Sequence, residues 1–126
     1  MKELTKAEEQ VMQILWSLES AIVRDIMTHF PDPKPAYTTV STIVRILEKK
    51  GFVEHENYGN IHKYSPLVSK DEYASEFMNY FVKDYFGNSF SKLVSFFGQK
   101  EKISPNDLEE IRKLLIANKE KGAGND

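Results

Sequence analysis

The 126-residue chain contains no cysteine. Disulfides, thiolate nucleophiles and thiolate metal sites are thereby excluded. No apolar run reaches the roughly 18 residues that a membrane-spanning helix needs. The N-terminal stretch Met1-Lys2-Glu3-Leu4-Thr5 carries no apolar signal-peptide core, so a cytoplasmic location is expected. An excess of positive charge is also missing. The formal net charge is −2, and residues 1–66 hold eight Lys/Arg against nine Asp/Glu. Any affinity for nucleic acid must therefore come from local clustering and from two copies of the site. There is no Gly-rich phosphate loop and no Ser/His/Asp arrangement with motif support, so no enzymatic activity is expected. His29, His55 and His62 are too dispersed for a recognised metal spacing. His55 and His62 can face each other across a hairpin, but two imidazoles do not complete a site, and neither metal nor cofactor is expected. The acidic pairs Glu8-Glu9, Asp71-Glu72 and Glu109-Glu110 fall in helix first turns, where capping and the helix dipole account for them.

What is present is a succession of amphipathic segments. A hydrophobic fraction of 40% suffices for one domain, or for one domain with an oligomerisation extension. Thr5-Lys6-Ala7-Glu8 fits a capping box, followed by the stripe Val11, Ile14, Leu15 and Leu18 with Met12 and Trp16 beside it; this predicts a helix over about 5–18. Ala21-Ile22-Val23 reads as an extended entry, and Ile26, Met27 and Phe30 continue it as a short helix. Pro31-Asp32-Pro33-Lys34-Pro35 is a stiff turn, since proline removes donors and restricts the residue before it.

The segment Tyr37–Phe52 is the most telling. Val40, Ile43, Val44 and Leu47 form one apolar stripe, and Gly51 supplies a helix stop. The other side carries Thr38, Thr39, Ser41, Thr42 and Arg45, short hydroxyls and one guanidinium with almost no acid. Hydroxyls reach phosphate or base edges, threonine methyls touch thymine methyls, and arginine grips guanine or phosphate. A packed helix with a polar outer face is the plainer account of the same pattern. After Gly51 the period changes: Phe52–Glu56 and Ile61–Ser65 read as strands around a turn at Asn57–Asn60, closed by Pro66. Three helices followed by a hairpin is the order of a winged helix-turn-helix, whose third helix enters the major groove.

The remaining chain differs in character. Ser69-Lys70-Asp71-Glu72 opens a helix rich in aromatics, Gly87-Asn88 breaks it, Phe90–Phe97 form a short helix ending at Gly98, and Ser104-Pro105 caps a last one. From Lys119 onward a frayed tail is expected. These helices are too few and too apolar to stand alone, which points to a second copy of the same segment. The fold class is therefore mainly α with a small β-hairpin: a winged helix-turn-helix over 1–68 and a helical dimerisation region over 69–126. Tyr73, Phe77, Tyr80, Phe81, Phe90, Leu93, Leu108, Ile111 and Leu115 are the candidate dimerisation residues.

The whole chain, roughly Leu4 to Lys119, resembles the penicillinase repressor family of BlaI/MecI-type regulators. The resemblance rests on Thr5-Lys6-Ala7-Glu8 with Val11-Met12 and Leu15-Trp16, on Tyr37-Thr38-Thr39-Val40 through Leu47–Phe52, on Tyr64-Ser65-Pro66-Leu67-Val68, and on Ile103-Ser104 through Leu108–Ile111. It implies a homodimer that binds a promoter dyad and represses transcription. In the β-lactam systems of that family a membrane sensor metallopeptidase triggers cleavage in the dimerisation region. By position the bond here is Phe96–Phe97, where the best-known members have Asn before the Phe. Those members also carry cationic side chains early in the recognition helix, where this chain has Thr38 and Ser41. The copper-responsive branch uses a C-terminal Cys motif, which this chain lacks. For DNA contact the candidates are Tyr37, Thr38, Thr39, Ser41, Thr42 and Arg45, with Lys63 on the wing. Thr38, Thr39 and Thr42 are assigned to bases, and Ser41 and Arg45 to phosphates. The competing reading is a winged-helix protein-interaction module without sequence-specific DNA binding.

Overall fold

In the computed structural model, residues 3–100 and 104–124 are described, the side chains of 115–124 excepted. The elements run α1 (Lys6–Leu18), α2 (Val23–Thr28), α3 (Tyr37–Lys49), β1 (Val53–Tyr58), β2 (Ile61–Pro66), α4 (Lys70–Phe86), α5 (Phe90–Gln99) and α6 (Pro105–Gly124). They fall into two compact units, one up to Glu76 and one from Phe77 onward. The first two turns of α4 belong to the first unit, because Tyr73 on them is seated there, with its ring centroid 5.7 Å from that of Trp16 and 6.0 Å from that of Phe52.

The first unit is a winged helix. Thr5 starts α1 with the expected reciprocal cap: its Oγ1 accepts from Glu8 N at 3.2 Å, and Glu8 Oε1 accepts from Thr5 N at 2.9 Å. Met12 joins Val11 and Leu15 in full burial, whereas Ile14 and Leu18 are only partly covered, so the inward stripe is rotated toward Met12. Val40, Val44 and Leu47 of α3 face the same core, together with Ile26, Phe52, Val53 and Tyr64. α3 ends in a full Schellman motif: Gly51 takes φ +83°, Gly51 N donates to Glu48 O, and Phe52 N donates to Leu47 O at 2.9 Å. That turn drives Phe52 into the core and launches the hairpin.

The hairpin is longer and its turn tighter than expected. Pairing continues from Val53↔Pro66 to Tyr58↔Ile61, leaving only Gly59-Asn60 as the loop. Asn57 and Tyr58 are strand residues, because a two-residue turn with Gly59 at φ +64° lets the ladder close two residues further out. Ala21 adds a short bridge to the other edge of β2, with Ala21 N donating to Tyr64 O at 2.9 Å and Tyr64 N to Ala21 O at 2.8 Å. The extended entry expected at residues 21–23 is this bridge; Val23 itself already begins α2.

Two polar contacts tie α1 to later parts of the unit. Glu8 is buried, and its Oε1 accepts from Lys50 Nζ at 2.6 Å. Burial pushes the Glu8 carboxyl up, but the Lys50 ammonium and the Thr5 N–H outweigh it and hold the group below the usual value. Glu9 accepts from the Tyr73 hydroxyl at 2.6 Å. Burial and that carboxylate raise the Tyr73 phenol above the usual tyrosine range.

The second unit is helical. Phe77, Phe81, Tyr85 and Phe86 form a ladder of rings along α4, and Phe86 meets Phe96 of α5 edge-on with centroids 5.6 Å apart. α4 ends where Gly87 and Asn88 both take positive φ, and Asn88 N returns to Val82 O at 3.1 Å. Ser89 and Ser104 accept from the backbone N–H groups of Lys92 and Asp107 at 3.2 and 3.1 Å, capping α5 and α6. Helix α6 continues to Gly124, so the stretch expected to fray from Lys119 is helical as far as that residue. Good helix formers at Lys119, Glu120, Lys121 and Ala123 carry it on. Among the described residues no helix is long and apolar enough to cross a membrane.

Candidate nucleic-acid interface

Helix α3 has the strongest division of faces in the first unit. With Val40, Val44 and Leu47 buried, Tyr37, Thr38, Thr39, Thr42 and Arg45 are exposed and Ser41 is half-covered. No side chain caps its N-terminus and no acid lies in its first turn; Thr39 N donates to Ala36 O at 3.1 Å, and the N–H groups of Tyr37 and Thr38 are left for an outside acceptor. Thr42 Oγ1 donates to Thr38 O at 2.8 Å, which spends its hydroxyl proton within the helix. What Thr42 presents outward is a methyl group and acceptor lone pairs. Arg45 Nε donates to Ser41 O at 3.3 Å, holding the guanidinium along the helix surface. Among the described residues Arg45 has no carboxylate within ion-pair distance.

The cations near α3 in the sequence do not all gather on this face. Lys50 is turned to Glu8 and to Glu3 O, so it serves the core and not the outer face. Lys34 donates to Thr28 O at 3.1 Å and Phe30 O at 2.8 Å, satisfying carbonyls at the end of α2. Lys49 and Lys63 remain exposed. Lys63 stands opposite Glu56 on the hairpin and over the Tyr58 ring, 6.0 Å from its centroid. Glu56 in turn accepts from the Tyr58 hydroxyl at 3.0 Å.

The one acid on α3 is Glu48, and it is engaged: its Oε2 lies 2.6 Å from His55 Nδ1. His55 packs edge-on against His62 with centroids 4.4 Å apart, the cross-strand approach anticipated for this pair. Among the described residues no group of three potential ligands is arranged to hold a metal ion. Trp16, beside the apolar stripe of α1, donates its Nε1 proton to Val68 O at 2.9 Å and packs against the core.

The candidate dimerisation residues divide into two environments. Tyr73 lies against Trp16 and Phe52 in the first unit. Phe77, Tyr80 and Phe90 are exposed in the second, while Phe81, Leu93, Leu108 and Ile111 are half-buried there. The side chain of Leu115 lies outside the described residues. Phe96 is exposed, Phe97 is half-buried, and both lie within α5.

The sequence profile of the penicillinase repressor family matches residues 4–117. The chain belongs to this family, one of DNA-binding transcriptional repressors. It is 29% identical to the methicillin resistance regulatory protein MecI of Staphylococcus aureus strain N315 over 114 residues, 90% of this chain and 93% of that protein. It is 26% identical to a penicillinase repressor of Staphylococcus aureus, again over 114 residues, covering 90% of each chain. Among solved structures, the DNA-binding domain of the repressor BlaI aligns with a TM-score of 0.49 and 25% identity, covering 58% of this chain and 94% of that one.

Sequence reasoning missed one residue beside this face. Arg24, on the first turn of α2, carried no motif at all, and only the Ala21–Tyr64 bridge brings its segment beside the hairpin.

Proposed function

We propose that the chain is a homodimeric transcriptional repressor that binds a promoter dyad, each protomer laying α3 in a major groove. The observation that carries this reading is the outer face of α3: exposed Tyr37, Thr38, Thr39, Thr42 and Arg45, an uncapped N-terminus, and no unengaged acid. Thr38, Thr39 and Thr42 read bases, Thr42 through its methyl and lone pairs. Ser41 and Arg45 hold phosphates, and Lys63 approaches the backbone from the wing. Two such helices in a dimer enter grooves one helical turn or a small multiple apart. The names of the curated relatives support regulation of a resistance determinant.

Dimerisation is assigned to the second unit, whose exposed Phe77, Tyr80 and Phe90 need a cover. Release follows proteolysis at Phe96–Phe97 after a signal from a membrane metallopeptidase. Because this bond lies in a helix, cleavage requires local opening of α5.

A titration of labelled promoter DNA followed by fluorescence anisotropy, at several salt concentrations and beside a scrambled duplex, tests the reading. Selective binding with a steep salt slope is expected. A second reading, a protein-interaction module, is favoured by Glu54 and Glu56 on the wing and by the near-neutral charge. Failure to select any sequence from a random pool gives that reading precedence. For release, mass spectrometry of the repressor from induced cells should find a break after Phe96; an intact chain there eliminates the cleavage route.

A further inference from the structure

A second polar surface adjoins α3. The bridge between Ala21 and Tyr64 draws the start of α2 against β2, and a cleft of about 120 Å³ opens between α2, α3 and the hairpin tip. Its lining combines Arg24, Tyr37, Ser41, Asn60 and His62 with Ile61 and other apolar groups. The donors come from three separate elements, and no carboxylate lines the cleft. Among the described residues Arg24 has no ion-pair partner. Of the nearby acids, Glu48 meets His55 and Glu56 meets Tyr58, while Asp25 is exposed beside Arg24 and does not line the cleft. A guanidinium, a phenol, an alcohol, an amide and an imidazole around one small volume match the acceptors of a phosphate diester. Exposed Ile61 and the Tyr37 ring add an apolar wall suited to the attached sugar.

We propose that this cleft seats one phosphodiester of the DNA backbone next to the groove that α3 enters, with Arg24 as its principal cation and Asn60 and His62 as further donors. The inference rests on the repressor reading above and extends the contact surface beyond α3 to α2 and the wing tip. A phosphate seat of this kind fixes how the helix sits on the duplex without choosing the sequence. It also offsets the scarcity of lysine and arginine on α3, because an arginine from another element supplies charge at the edge of the same surface.

The test uses the full-length protein and anisotropy titrations of operator and scrambled DNA across a salt series. Wild type must first bind the operator; if it does not, the repressor reading itself fails. Given that binding, Arg24→Gln should weaken operator and scrambled DNA by the same factor. Its slope of log K against log salt should fall by about 0.9 for each cleft, or about 1.8 for a dimer. Arg24→Lys should restore most of that slope, and thermal unfolding should match wild type because the Arg24 side chain is exposed. A single neutral methylphosphonate, moved along the operator, should find one position per half-site where the Arg24→Gln loss disappears. An unchanged slope in Arg24→Gln, or losses that add at every methylphosphonate position, overturns the proposal. Selective competition by inorganic phosphate over chloride at matched ionic strength, lost in Arg24→Gln, would assign the cleft to a free anion and overturn it as well.

Discussion

The two units solve the problem of hydrophobic surface in opposite ways. In the winged helix, side chains from α1, α2, α3 and both strands close on one another, and Val11, Met12, Leu15, Ile26, Val40, Val44, Leu47 and Phe52 lose all contact with solvent. In the helical unit only Val82 does so among the described residues, while Tyr80 and Tyr85 keep 67% and 74% of their surface. Composition does not explain this, since the second unit holds more aromatic rings. Geometry does. A hairpin and three helices crossing at different angles can enclose a centre, whereas rings strung along one side of α4 mostly touch their own neighbours. A self-enclosed core leaves the outer face of α3 free to be polar. An unenclosed ladder leaves apolar surface exposed, the surface on which the proposed second copy would sit.

That contrast can be broken first at its closed end. Leu47→Ala removes a fully buried side chain from α3 and should destabilise the first unit by about 2–5 kcal/mol, read by chemical denaturation at fixed protein concentration. A loss under about 1 kcal/mol would mean that this core is not as closed as it looks. Next in size is Glu8→Gln, which keeps an acceptor for the Thr5 N–H but leaves Lys50 without its carboxylate. It should cost about 1–3 kcal/mol. The same variant has a pH signature. Because the folded-state value of Glu8 is depressed, its contribution is fully present above the unfolded value of 4.5 and drains away as pH falls through the lower folded one. Wild type should therefore lose stability on acidification more steeply than Glu8→Gln.

At the open end the expected effect falls on assembly and not on folding. Tyr80→Ser with Phe90→Ser should weaken self-association by at least about tenfold, equivalent to 1.4 kcal/mol. Sedimentation at several concentrations reads this, and an unaltered dimer would move the interface to another surface. The smallest change is expected on the outer face of α3: Arg45→Ala, losing a phosphate contact, should weaken operator and scrambled DNA alike and lower the slope of log K against log salt by about 1 per copy, while leaving thermal unfolding unchanged. Equal affinity in that variant would take Arg45 off the contact surface.

Much of this was legible in the residues. The i, i+3, i+4, i+7 spacing of Val40, Ile43, Val44 and Leu47 defines an inward face wherever the helix packs, and the Thr5–Glu8 box and Gly51 mark ends through bonds that span only a few residues. The hairpin was visible too, but its turn was drawn two residues too wide. Asn57 and Tyr58 are compatible with either turn or strand, and the cross-strand ladder decides between them. The core stripe of α1 was read with Met12 at its side, and contact with the other helices placed it inside.

The sequence by itself thus determined the order of elements, their caps, and which side of α3 is polar, because these depend on spacing and on hydrogen bonds between near neighbours. Only the tertiary structure decided which charges remain for a partner. Glu8 and Lys50 are 42 positions apart and neutralise each other, Glu48 is drawn to His55, and the bridge from Ala21 to Tyr64 sets Arg24 and the wing tip around one cleft. Pairings of that kind depend on chain segments brought together by the core, and no local pattern encodes them.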